Sequence, residues 1–147
     1  MMRWLGIDHG SKRIGVAVGS TSDGVATPVT VLSAEPLERA LADIAQLRDQ
    51  YGADGIVVGW PLNMDDTEGA QGRTARQAAV AIASALDCDV RLWDERLSSF
   101  EADQRLAGTM TRKQKKARQD AVAAAAMLQD FLSAGGPDAA PRPEMAD

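Results

Sequence analysis

The sequence predicts an α/β fold, one mixed five-stranded sheet with helices on both faces. Three observations lead there. Three short apolar runs at hairpin spacing open the chain, and links this short join antiparallel strands. Helical and strand patterns then alternate, which calls for parallel, right-handed crossovers in the same sheet. The 147 residues suit a single domain.

The elements follow in order. Residues 4–8 (WLGID) are an apolar run ending in an acid and read as the first strand. Residues 14–18 (IGVAV) form the second, after a tight polar linker. Residues 27–32 (TPVTVL) form the third, with Pro28 acceptable near its start or at a sheet edge. Residues 36–51 place Leu37, Leu41, Ile44, Leu47 and Tyr51 at helical spacing, with Pro36 in the first turn and Gly52 at the stop. Residues 55–59 (GIVVG) lack alternation, as a strand buried on both faces does. Residues 60–72 are a loop rich in Gly, Asp and Asn. Residues 74–86 form a helix with Ala75, Ala79, Ile82 and Leu86 on one stripe, and residues 89–93 (DVRLW) form the fifth strand. Ser98 and Glu101 have capping-box spacing for a short helix to about Ala107. Residues 108–116 read as a polar, basic connection. The last helix covers 117–132, facing Ala121, Ala124, Ala125, Leu128 and Leu132 inward. Residues 133–147 carry Gly, Pro and Ala without periodicity and are expected to be disordered, leaving a domain of residues 1–132.

Composition excludes several classes. Apolar residues make up 45% and charged residues 25%, as in ordinary globular proteins. Aromatics are 4%, so aliphatic side chains must fill most of the core. No apolar run reaches the roughly 18 residues of a membrane span. The N-terminus lacks the apolar stretch of a secretory leader, which points to the cytoplasm. A single cysteine, Cys88, excludes an internal disulfide and a cysteine-based zinc site. The net charge of −5 does not by itself suggest nucleic acid. The charges are segregated, however: residues 112–118 (RKQKKAR) hold five cations and no anion.

Candidate chemistry gathers at strand ends. Asp8 ends the first strand at the carboxyl edge, where open α/β sheets hold ligands. Asp94, Glu95 and Arg96 directly follow the fifth strand. Asp120 falls in the first turn of the last helix on an otherwise apolar face, where the helix dipole also favours an acid. Asn63 follows the fourth strand on the same edge and could orient a substrate; Asp65, Asp66 and Glu68 could approach a metal or simply be solvated turn residues. His9 could assist proton transfer or be a plain turn histidine. The basic run (Arg112, Lys113, Lys115, Lys116) could guide a nucleic-acid backbone or form a solvated loop.

Taken together, GIDHGSKRIGVAV, VVGWPLNMDDTEG, DERLSS and QDAVAAAAMLQDFL resemble, in order, the motifs of the YqgF/RuvX family over about residues 3–132. The resemblance implies a ribonuclease H-like sheet of order 3-2-1-4-5. It also implies a Holliday junction resolvase-like or pre-16S rRNA processing nuclease. Carried over by position, its three acids are Asp8, Glu95 and Asp120, both catalytic and metal-binding, and its basic pair is Lys12 and Arg13. Gly19 and Ser20 stand where many members have Ser-Asp.

Two carboxylates ~4 Å apart repel by about 4 kcal/mol at an effective dielectric of 20, so three that converge need a cation. Hard oxygen ligands point to Mg²⁺ or Mn²⁺. Such ions activate water and stabilise the leaving oxygen in phosphodiester cleavage. Lys12, Arg13 and Arg96 would then meet phosphate. In the implied order the first and fifth strands lie ~9.5 Å apart, so Asp8 and Glu95 share an ion only by leaning over the strand between. That strand ends at Gly59, which offers no side chain to obstruct them.

The expected partner is nucleic acid, with pre-rRNA ahead of four-way junction DNA, and with ribosomal precursor particles as the setting; no membrane is expected. A junction resolvase would be a symmetric dimer, and the sequence carries no signature of an oligomeric state. D-x-G-S after a first strand also resembles the phosphate loop of actin-like and sugar-kinase ATPases, but the chain is too short for their two lobes. A non-catalytic RNA-binding or transcription-associated factor is a further reading.

Overall fold

The computed structural model describes residues 2–65, 67–95 and 112–143; of residues 112–118 and 139 only the backbone is described. Five strands form one sheet: β1 (Arg3–His9), β2 (Arg13–Ser20), β3 (Ala26–Ser33), β4 (Gly55–Trp60) and β5 (Asp89–Asp94). The order is β3-β2-β1-β4-β5. β1 and β2 pair antiparallel, as do β2 and β3, whereas β4 runs parallel to both β1 and β5. Pro28 lies on edge strand β3, where a missing N–H is tolerated.

Helices α1 (Leu37–Tyr51) and α2 (Ala70–Leu86) cover one face of the sheet. Their core contains Leu5, Ile7, Val16, Ile56, Val58 and Leu92, met by Ala40 and Ile44 of α1 and the expected stripe of α2. Leu37, expected on the buried side of α1, is 49% exposed. Pro36 is the N-cap rather than a first-turn residue, and Gly52 ends α1 in the left-handed conformation that glycine adopts without strain.

Helix α3 (Arg112–Ser133) covers the other face. Phe131 packs edge-on against Trp4 and Trp93, with ring centroids 5.0 and 6.1 Å away. Two helix starts differ from the sequence expectation. α2 begins at Ala70 rather than 74 and includes Gly72, which lies close against the Pro61 carbonyl where a side chain would not fit. α3 begins at Arg112, so the basic run is helical backbone and not a connection. Asp120 consequently lies about two turns into α3, and a first-turn dipole role does not apply to it. The helix expected over 98–107 lies outside the described residues.

The segment expected to be disordered is docked as far as it is described. Gly136–Ala139 forms a 3₁₀ turn. The chain then lies along the free edge of β5, where Leu92 N–H donates to the Pro141 carbonyl at 2.8 Å. Arg91 donates to the carbonyls of Pro137 and Ala140 at 2.8 and 3.0 Å while its Nε meets Asp89 at 2.7 Å. Ala140 is buried beside Trp93 in the α3-face core.

Candidate active site

Strand register assembles the site. Asp8 is paired with Gly15 of β2. Ile7 pairs with Val58, so Asp8 comes alongside Gly59, and Gly59 in turn pairs with Trp93 of β5. Side chains alternate along strands, so Asp8, Gly15 and Gly59 share the α3 face. Glu95 follows β5 and folds back over the gap at Gly59, where an added Cβ would run into its Oε1. There the side chains of Asp8 and Glu95 hydrogen-bond to each other across the central strand.

Two carboxyls this close cannot both be charged without a counter-ion. Burial, then the Asp8 charge and the shared hydrogen bond, push the Glu95 carboxyl up to about 8. Burial also raises Asp8; the Glu95 hydrogen bond opposes that shift, while the Asp120 charge adds to it. His9 is lowered, mainly by burial, with Asp8 partly offsetting the effect. Its imidazole is therefore neutral near pH 7.

Of the three acids expected to converge, the structure brings two together. The backbone of Asp120 packs over Gly15, where an added Cβ would run into the Asp120 carbonyl oxygen. Its carboxylate turns to Arg13, whose Nε donates to Oδ2 at 2.7 Å. Among the described residues, no group of three His, Cys, Asp or Glu side chains is close enough to hold a metal ion.

A cleft of about 330 Å³ opens beside the pair, lined by Asp8, His9, Gly10, Ser11, Pro61, Ala70, Gln71, Thr74 and Glu95. Sequence reasoning missed Ser11, Gln71 and Thr74 and gave His9 no firm place. The early start of α2 brings Ala70 and Gln71 to the cleft, and that helix end has no side-chain cap. Open N–H groups at a helix N-terminus favour anions such as phosphate.

The loop after β4 is held by its own polar groups. Leu62 bridges to Glu68, and Asn63 Nδ2 donates to Thr67 Oγ1 at 2.9 Å. Thr67 in turn donates to Asp65 through its N–H and hydroxyl. Glu68 accepts from Trp60 Nε1 at 2.8 Å and from Arg76 at 2.8 and 3.0 Å. The Arg76 hydrogen bonds hold its carboxyl below the usual range. The structure thus uses Asn63, Asp65 and Glu68 to shape the loop, and Glu68 is directed to Arg76 rather than into the cleft. Lys12 is exposed on the β1–β2 turn, one residue before Arg13. Asp66 and Arg96 lie outside the described residues. Arg112, Lys113, Lys115 and Lys116 are placed by backbone only, in the opening turns of α3.

A mixed sheet of order 3-2-1-4-5, with an acid at the end of β1 meeting one just past β5, is a ribonuclease H-like arrangement. The chain belongs to the RuvX family, described as "Holliday junction resolvase", which it matches over residues 2–134. It is 41% identical over 131 residues to a protein of Chloroflexus aurantiacus named "Putative pre-16S rRNA nuclease", covering 88% of this chain and 86% of that one. A protein of the same name from Anaeromyxobacter dehalogenans is 43% identical over 137 residues, covering 92% of this chain and all of that one. Among solved structures, T. thermophilus RuvC in complex with a Holliday junction substrate shares the fold at a TM-score of 0.58 and 18% identity, covering 91% of this chain and 95% of that one. The fowlpox virus resolvase bound to Holliday junction DNA does so at 0.52 and 8%, covering 90% and 98%. Among the described residues, no helix is long and apolar enough to cross a membrane.

Proposed function

We propose that this protein is a divalent-cation-dependent nuclease that hydrolyses phosphodiester bonds in the 5′-end maturation of pre-16S rRNA, acting in the cytoplasm on ribosomal precursor particles. The observation that carries the reading is the Asp8–Glu95 pair, two half-buried carboxyls meeting over a position that has no side chain. The residues fit a hard cation: the donors are all carboxylate oxygens, and their mutual repulsion is what a divalent ion relieves. Asp8 and Glu95 would hold Mg²⁺ or Mn²⁺, with Asp120 as third ligand. When bound, the ion supplies water activation and stabilisation of the leaving oxygen.

The remaining residues bind and orient. The open end of α2 and Lys12 face the phosphate backbone, and the basic opening of α3 tracks it by counterion release. His9, neutral and next to Asp8, is positioned to accept a proton within the cleft. The nuclease domain spans residues 1–132, with the docked tail as an addition to its β5 edge.

The curated relatives carry the pre-16S rRNA name, which puts RNA ahead of four-way DNA. The family description favours the junction as the second reading. Purified protein is incubated with a labelled pre-16S rRNA fragment and with a four-way DNA junction, with Mg²⁺ or Mn²⁺ and with EDTA. RNA cleavage that is lost in EDTA and in Asp8→Asn is the expected result. Paired symmetric incisions in the junction with intact RNA would replace it with the resolvase reading. Binding without cleavage, unchanged in Asp8→Asn, would contradict both.

A further inference from the structure

The Arg13–Asp120 ion pair stands in the way of a three-carboxylate cation site. Such a site needs Asp120 beside Asp8 and Glu95, yet its Oδ2 accepts from Arg13 Nε at 2.7 Å. Shifting the helix cannot bring it over, because the Asp120 main chain is already seated on Gly15. Gly15 is the register partner of Asp8, so the backbone of Asp120 sits one strand away from Asp8. Rotation of the Asp120 side chain is the motion that remains. The pair is open to water, with side chains 35% and 28% exposed. Pairs of that kind change an equilibrium by about fivefold at most, so they exchange readily.

We propose that Arg13 is the exchangeable counter-ion of Asp120. When Asp8 and Glu95 hold a divalent cation, Asp120 rotates off Arg13 to join them. The released guanidinium then donates to a phosphate of the nucleic-acid backbone at the cleft. A guanidinium fork fits carboxylate and phosphate alike, so Arg13 trades one anion for the other. This exchange presupposes the cation site proposed above. Its consequence is a two-way coupling: nucleic acid tightens cation binding, and cation tightens nucleic-acid binding by the same factor. Free of nucleic acid, Arg13 competes with the cation for Asp120 and keeps the site weak.

The test is a Mn²⁺ titration of the full chain, followed by the paramagnetic resonance of free Mn²⁺, on wild type, Arg13→Gln, Asp120→Asn and the double variant. Thermal melts check folding, and Arg13→Met replaces Arg13→Gln if the latter does not fold. Arg13→Gln should tighten Mn²⁺ binding by about fivefold, and the same change should have no effect in the Asp120→Asn background. An RNA hairpin with phosphorothioate linkages should tighten Mn²⁺ binding severalfold in wild type and by less in Arg13→Gln. Equal effects of Arg13→Gln in both backgrounds would reduce Arg13 to a distant charge and overturn the exchange. So would equal tightening by the hairpin with and without Arg13. Mn²⁺ binding that is lost in Asp8→Asn but indifferent to Arg13 sinks the exchange alone. Absence of Mn²⁺ binding in wild type sinks the cation site with it.

Discussion

The two faces of the sheet are built from different materials. Toward α1 and α2 the strands present Leu5, Ile7, Val16, Ile56, Val58 and Leu92, all fully buried aliphatics. Toward α3 they present glycine at 15 and 59, Ala17, two tryptophans and, at the carboxyl edge, Asp8. The first face is packed for stability. The second is emptied at chosen points, so that α3 can bring Asp120 against β2 and Glu95 can lie across β4. The difference teaches that on this sheet the missing side chains decide where the acids come to lie.

That contrast can be broken on either side. Ile56→Ala, on the aliphatic face, should cost about 2–5 kcal/mol in a denaturant titration, because a fully buried central-strand side chain leaves a cavity. Cleavage per folded molecule should stay near wild type. Gly59→Ala should do the reverse. Its methyl meets the flexible end of Glu95 rather than backbone, so the protein folds with a melting temperature close to wild type. The displaced carboxylate should lower kcat by about a hundredfold. Normal cleavage by Gly59→Ala would mean that Glu95 does not act from that position.

The acid pair also sets a pH dependence. The folded state holds a proton on Glu95 up to about 8, whereas an unfolded glutamate loses it near 4.5. Over that window the folded state binds more protons than the unfolded one, so stability of the cation-free protein should fall as pH rises from 4.5 toward 8. On the proposed cation site, saturating Mg²⁺ should flatten the fall by taking the place of the proton. Melting temperatures across this range, with EDTA and with Mg²⁺, measure it. A cation-free protein whose stability climbs steadily with pH would contradict the shared proton.

Much of this was legible in the sequence, and the failures are instructive. The strands and the α2 stripe follow from runs and periodicity. Asp8 and the Asp94–Glu95–Arg96 run stood out at strand ends on one edge, the family resemblance picked Glu95 from that run, and Gly59 stood out because it lies between. The Arg13–Asp120 pair was not legible, since its partners lie 107 residues apart on two elements and neither needs the other to satisfy a local pattern. The opening of α3 escaped because its turns carry charge where a buried helix carries a stripe. The docked tail escaped because it is held through backbone carbonyls, which any residue supplies. The smallest expected effect tests that last contact: Arg91→Ala removes two hydrogen bonds to the tail and should lower stability by about 1 kcal/mol. Faster proteolysis of the chain beyond residue 134 should accompany it.

The most direct measurement is a crystal of the full chain grown with Mn²⁺ and examined at the manganese absorption edge. The expected result is an anomalous peak between the Asp8 and Glu95 carboxylates, above Gly59. Well-ordered carboxylates directed apart, with no peak between them, would contradict the account.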